Sequence, residues 1–195
     1  MKRIMIVGQP GSGKSSLARA LGELTDLPVI HIDKIHWQPG WVERSKAEKT
    51  RLCREAEQGE RWIFEGGHSA TWESRLARAD MLIWIDRPMS LRMWRVLRRA
   101  FLGLGQTRPD MADGCPERLS SLPEFIGFIW ATRKSGAAKI AQLARRAPTG
   151  CGVVHLHSDG RWRPSSRSLM TRRILRARDH TSSFSRCGHS RSITA

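Results

Sequence analysis

The chain has 195 residues, 39% of them hydrophobic, with four cysteines and a net charge of +16. That length suits one globular domain with a short appendage and a core that needs no disulfide staples, and no apolar run is long enough to span a bilayer. The charge favours polyanionic partners such as nucleotide phosphates or nucleic acid, but residues 161–195 hold nine arginines against one acid, Asp179, and so carry half of it.

The charged start, Met1-Lys-Arg, precedes an apolar stretch of only four residues that runs into glycines, so it reads as a buried strand and not as a signal peptide. The expected location is therefore the cytoplasm. Cys53, Cys115, Cys151 and Cys187 show no C-x-x-C spacing and are expected as free thiols.

Arg3–Val7 predicts a buried parallel strand, and Lys14–Leu24 a helix with Leu17, Ala18, Leu21 and Leu24 on one face. Val29–Ile32 predicts a second strand ending at Asp33, followed by a loop over 34–43. Glu43–Gln58 predicts a charged helix stopped by Gly59. A third strand, Arg61–Glu65, closes at Gly66-Gly67, and Ser69–Ala79 is a short helix. Met81–Ile85 is a fourth strand ending at Asp86, and Met89–Leu102 a basic amphipathic helix. Residues 103–120 are rich in Gly, Pro and Asp and predict a loop. Leu122–Ala147 predicts one or two helices with a break near Gly136, and Gly152–Leu156 a fifth strand. Strands alternating with helices imply an α/β fold with a parallel sheet covered on both faces.

Residues 8–15, Gly-Gln-Pro-Gly-Ser-Gly-Lys-Ser, match G-x-x-x-x-G-K-[ST] between a predicted strand and a predicted helix, the context that confirms this signature. Gly8, Gly11 and Gly13 let backbone N–H groups turn inward on phosphate oxygens, and the helix N-terminus adds its positive dipole end. Lys14 reaches the β/γ-phosphates of ATP or GTP, and the Ser15 hydroxyl ligates Mg²⁺. Ser12 and Ser16 stand close enough to assist.

His31-Ile-Asp33, Trp37-Gln-Pro-Gly-Trp41, Trp62-Ile-Phe-Glu-Gly66 and Arg108-Pro-Asp-Met-Ala-Asp-Gly-Cys-Pro-Glu117 together resemble the adenylate-kinase-related proteins called DNA topology modulation proteins. The resemblance covers about residues 1 to 158. It implies a P-loop NTPase fold of the nucleoside-kinase type, a five-stranded parallel sheet of order 2-3-1-4-5, and a phosphotransferase-like site. It also implies that Asp33 orients an acceptor or the Mg²⁺ shell, and that Glu65, Gly66 and Gly67 border the acceptor. Adenylate kinases carry Asp-Gly where this chain has Glu65-Gly66, so the contact made by Glu65 differs. Arg75 is a further acceptor candidate.

Phosphoryl transfer spreads charge over several oxygens, which arginines stabilise. Arg95, Arg98 and Arg99 share the basic helix; Arg108 and Arg133 follow. The pattern resembles lid-flanking arginines, with Arg99 and Arg108 the preferred pair and 103–120 the lid. A solvated basic face is the plainer alternative. His31, Asp33 and His36 are spaced unlike a metal cluster. Trp37 and Trp41 could stack on a base or simply pack.

The 1–158 domain gives way to a basic tail, 159–195, which reads as disordered apart from a possible helix at Leu169–Arg178. GC-rich codons for Asp-Gly-Glu-Val-Ala-Ala-Phe-Leu, less one G, would encode Asp159-Gly-Arg-Trp-Arg-Pro-Ser-Ser166, so a reading-frame shift from Arg161 explains the abrupt composition; an evolved nucleic-acid-binding tail is the alternative. The leading functional expectation is an Mg²⁺-dependent transfer of the ATP γ-phosphoryl group to a small acceptor such as a nucleotide. The rivals are a nucleic-acid-associated NTP-binding regulator and an NTP-binding protein without turnover. The sequence leaves the acceptor and the oligomeric state open.

Overall fold

The computed structural model describes residues 1–157 together with the strand at 191–194. Its elements are β1 (Arg3–Gly8), α1 (Lys14–Thr25), β2 (Val29–His31), α2 (Ile32–His36), β3 (Trp37–Gln38), β4 (Val42–Glu43), α3 (Lys46–Glu57), β5 (Trp62–Glu65), a 3-10 turn at Ser69–Thr71, α4 (Trp72–Arg78), β6 (Met81–Asp86), α5 (Met89–Leu102), α6 (Leu122–Arg145), β7 (Gly152–His157) and β8 (Arg191–Thr194).

The main sheet runs β2-β5-β1-β6-β7-β8, and every pair in it is parallel. The first five strands follow the expected order, with β1 central. β8 is an addition. The tail read as disordered from sequence supplies at Arg191–Thr194 a strand that pairs with β7 from Val154 to His157. It satisfies backbone groups that β7 would otherwise present as an open edge. Residues 158–190, which hold most of the expected frame-shifted segment and the possible helix at Leu169–Arg178, lie outside the described residues.

Side-chain alternation builds one core on each face of the sheet. Ile4, Ile6, Ile63, Ile83, Ile85, Val154 and Leu156 pack with Leu17, Ala18 and Leu21 of α1. Met5, Val7, Trp62, Phe64 and Leu82 pack on the other face with Cys53 of α3, Leu76 of α4, and Ile140 and Leu143 of α6. This is the α/β P-loop arrangement expected. No described helix is long and apolar enough to cross a membrane.

Three local readings change. The 34–43 loop is the short helix α2 followed by the antiparallel hairpin β3–β4. The charged helix begins at Lys46, where Ser45 caps it by accepting from the Glu48 N–H at 3.1 Å. α6 runs unbroken through Gly136, because that glycine makes room for the Gln9 side chain: a Cβ there would sit 3.0 Å from Gln9 Nε2.

Candidate functional site: a phosphate loop facing two carboxylates

Between β1 and α1, Gly11 and Gly13 hold φ of +77° and +98°, backbone that L side chains rarely adopt. Space demands glycine as well. A Cβ at Gly11 would lie 2.5 Å from the Arg92 carbonyl oxygen, and one at Gly8 2.6 Å from that of Ile85. Neighbouring elements grip the loop from outside. Gln9 Nε2 donates to the Arg133 carbonyl at 2.7 Å, Arg92 Nη1 to the Pro10 carbonyl at 3.3 Å and Arg95 Nη1 to the Ser12 carbonyl at 3.1 Å. The Pro10 and Ser12 carbonyls are thereby tied to α5, while the Ser12 N–H donates to the Gln9 carbonyl at 3.2 Å within the loop.

The residues present fit a nucleotide phosphate and Mg²⁺. Among the described residues, Ser12 Oγ is buried without a hydrogen-bond partner, α1 has no acid in its first turn to occupy its N-terminal N–H groups, and Lys14 Nζ has only the Gln9 carbonyl, at 3.2 Å, as a hydrogen-bond acceptor. A buried polar group left unmet in this way is costly unless something fills the cradle. Ser16 continues α1 behind Ser15.

Across the loop, β2 and β5 pair in register with His31 opposite Glu65. Both are buried, and His31 Nδ1 lies 2.7 Å from Glu65 Oε1. Asp33 stands two residues on, in the first turn of α2 and not in the strand itself. Burial lowers the Lys14 pKa against the upward pull of Glu65 and Asp33, with Arg99 and Arg92 lowering it further. Burial raises the Asp33 carboxyl and the neighbouring Glu65 charge adds to the rise, opposed by Lys14 and Arg108. Lys14, both carboxylates, Arg99 and Arg108 thus share one electrostatic environment. Gly66 (φ +118°) lets β5 end against α2, since a Cβ there would sit 2.9 Å from the Ile32 Cβ.

The 103–120 loop closes the third side. Arg108 Nη1 meets Asp110 Oδ2 at 2.7 Å, and Glu117 Oε1 lies 2.8 Å from Arg108 Nε and 3.0 Å from Arg99 Nε. Burial works to raise the Asp110 pKa, but Arg108 and the neighbouring Ser15 hydroxyl overcome it and hold the carboxyl below its ordinary value. The β3–β4 hairpin clamps the same loop from outside: Gly40 N–H donates to the Gly114 carbonyl at 3.0 Å, and Trp41 Nε1 to that of Pro116 at 2.9 Å. Trp41 is therefore a clamp, and Trp37 meets it edge to face at 5.2 Å.

Arg75 packs beneath the turn that follows β5. It is fully buried, donates to the Gly67 carbonyl at 2.7 Å and the Thr71 carbonyl at 3.2 Å, and lies over the Phe64 ring. Burial lowers its pKa to about 10. It shapes the turn that carries Gly66 and Gly67. Arg98 and Arg133 stack on Trp94 and Trp130 and are not joined to the carboxylates. His36 pairs with Lys49 at 2.7 Å, apart from the His31–Glu65 pair. Asp110, His31 and Glu117 were absent from the sequence-derived site. The only signal for the first and last was their place in the Arg108–Glu117 segment.

Neither a family model nor a curated protein matches the sequence. Solved structures do match the fold. Shikimate kinase from Bacteroides thetaiotaomicron is 15% identical with a TM-score of 0.56, over 91% of this chain and 98% of that one. Shikimate kinase from Acinetobacter baumannii, in complex with shikimate, is 16% identical with a TM-score of 0.54, over 94% and 96%. Shikimate kinase from Aquifex aeolicus is 13% identical with a TM-score of 0.50, over 92% and 98%. The chain shares the α/β P-loop fold of these structures.

Proposed function

We propose that the chain is an Mg²⁺-dependent phosphotransferase that moves the γ-phosphoryl group of ATP, or of GTP, to a small acceptor bound beside Asp33. The observation that carries this reading is the convergence of Lys14, Asp33, Glu65 and the Asp110–Ser15 contact from four separate chain segments on one side of the phosphate loop. The kinase fold of the structural neighbours supports it.

Lys14 and the loop N–H groups hold the β- and γ-phosphates, while Arg99 and Arg108 face the charge that develops on the transferred group. Ser15, with Asp110 behind it, is the residue that would hold Mg²⁺; the ion neutralises phosphate charge when bound. An acceptor hydroxyl oxygen bonds to the γ-phosphorus as the bond to the bridging oxygen of the leaving diphosphate breaks, and the hydroxyl proton passes to Asp33. A carboxyl with a raised pKa suits that proton transfer. Glu65, held by His31, and Gly66 and Gly67 border the acceptor.

The test is transfer from γ-labelled ATP across a panel of nucleoside monophosphates, nucleosides and small hydroxy acids, shikimate among them. At least one acceptor should stimulate ADP release, and Asp33→Asn should lower its kcat by about a hundredfold or more with little change in the KM for ATP. The reading fails if no acceptor stimulates ADP release, or if Asp33→Asn turns over like the wild type.

A further inference from the structure

On the opposite flank of β1 from Asp33 and Glu65, three side chains converge that the phosphotransfer reading does not use. β6 and β7 pair with Trp84 opposite His155 and Asp86 opposite His157. Residues two apart on a strand share a face, so Asp86, His155 and His157 meet at the carboxyl ends of these two strands. Asp86 Oδ2 lies 3.5 Å from His155 Nε2 and 3.6 Å from His157 Nδ1. Among the described residues this is the group of His, Cys, Asp and Glu whose ligand atoms all lie within 4.8 Å of one another.

We propose that Asp86, His155 and His157 bind a divalent transition-metal ion of the Zn²⁺ class, with at least one coordination position left open. The separations carry the case. They exceed good hydrogen-bond distances of about 2.7–3.2 Å, so the three heads converge without bonding one another well. The two Asp86 separations match the edge of a tetrahedron around a metal with ligands at about 2.0–2.2 Å, which is roughly 3.3–3.6 Å, and the two histidine nitrogens lie within 4.8 Å of each other. Among the described residues the buried His155 Nε2 has no hydrogen-bond partner and faces the Asp86 carboxylate at 3.5 Å. The His155 ring is fixed by stacking on Trp84, with centroids 3.8 Å apart and planes 11° from parallel, so its nitrogen is aimed before any ion arrives. His157, with 59% of its side chain exposed, leaves the group open to solvent. Two imidazoles and one carboxylate select Zn²⁺, Co²⁺ or Fe²⁺ over Mg²⁺ or Ca²⁺. Arg87 and Arg92 also feel the Asp86 charge, which weakens the site relative to a four-ligand structural zinc. The site is independent of the Ser15 position proposed for Mg²⁺.

The experiment uses the full chain, stripped with chelator and held free of nucleotide and Mg²⁺. Titration with Co²⁺ should give visible absorption of a low-coordinate nitrogen–oxygen site, displaced by Zn²⁺, and Zn²⁺ should raise the melting temperature. His157→Ala, at an exposed position, should keep the circular dichroism spectrum and weaken binding of one ion at least tenfold. Asp86→Asn and His155→Gln should do the same, and His36→Ala should not. The proposal is overturned if the wild type binds neither ion, or if binding is unchanged in His157→Ala, which would place the ion on other histidines.

Discussion

Lys14 illustrates how a motif residue acquires its chemistry. Burial lowers its pKa, Asp33 and Glu65 oppose that, and bound phosphates would oppose it further. Lys14→Ala should abolish turnover with every acceptor while leaving the fold intact, as read by circular dichroism beside the transfer assay. Asp33 has a sharper signature. Its pKa lies above the ordinary 3.8, so the acid limb of the kcat/KM profile should fall above that value and disappear with the residual activity of Asp33→Asn. The same shift makes the ionised carboxyl a cost to folding: stability is greatest below the unfolded pKa and declines as pH rises through the folded one. The loop itself was legible in sequence because its residues are contiguous and each type has one reason to be there. His31 and Asp110 were not, because their partners, Glu65 and Ser15, lie on other elements and only the sheet register and the lid path join them.

At the level of elements, the phosphate loop is held by helices far from it in sequence. Gly11→Ala would press a methyl against the Arg92 carbonyl oxygen, which is backbone and cannot swing aside. Nucleotide affinity should drop at least tenfold by calorimetry, with stability reduced by about 1–3 kcal/mol. The 103–120 loop is tied through Asp110. Asp110→Asn removes a charge from Arg108 and Ser15, so the 103–120 loop should become more sensitive to limited proteolysis and kcat should fall more than the affinity for ATP. Strand and helix positions were readable from apolar periodicity, and α5 begins and ends where the sequence placed it, at Met89 and Leu102. The β3–β4 hairpin was read as a loop because two-residue strands have no periodicity; what defines it is its grip on Gly114 and Pro116. β8 escaped for the same reason, being four residues set by pairing with β7 in a basic segment.

Across the whole molecule, one sheet with a core on each face positions both groups at its carboxyl edge, with Asp33 and Glu65, the proposed acceptor carboxylates, on the β2–β5 side and the proposed metal group on the β6–β7 side. Leu82, fully buried at the centre of the second core, should cost about 3 kcal/mol when cut to alanine, measured by urea unfolding. Asp80 ties the chain start to β6. Burial disfavours its charge, but the Lys2 and Arg3 N–H groups and the Arg3 guanidinium overcome this and hold its pKa below 3.8. Its contribution is therefore present above 3.8 and lost as pH falls through the folded value. Asp80→Asn should cost about 1 kcal/mol at neutral pH and nothing in strong acid. The nucleotide site is the part of this edge on which the functional reading depends. Calorimetric titration of the full chain with Mg²⁺-ATP, beside Lys14→Ala, tests it most directly. The expected result is one nucleotide per chain, strengthened by Mg²⁺ and weakened at least tenfold in Lys14→Ala; no binding, or equal binding by the variant, would contradict it.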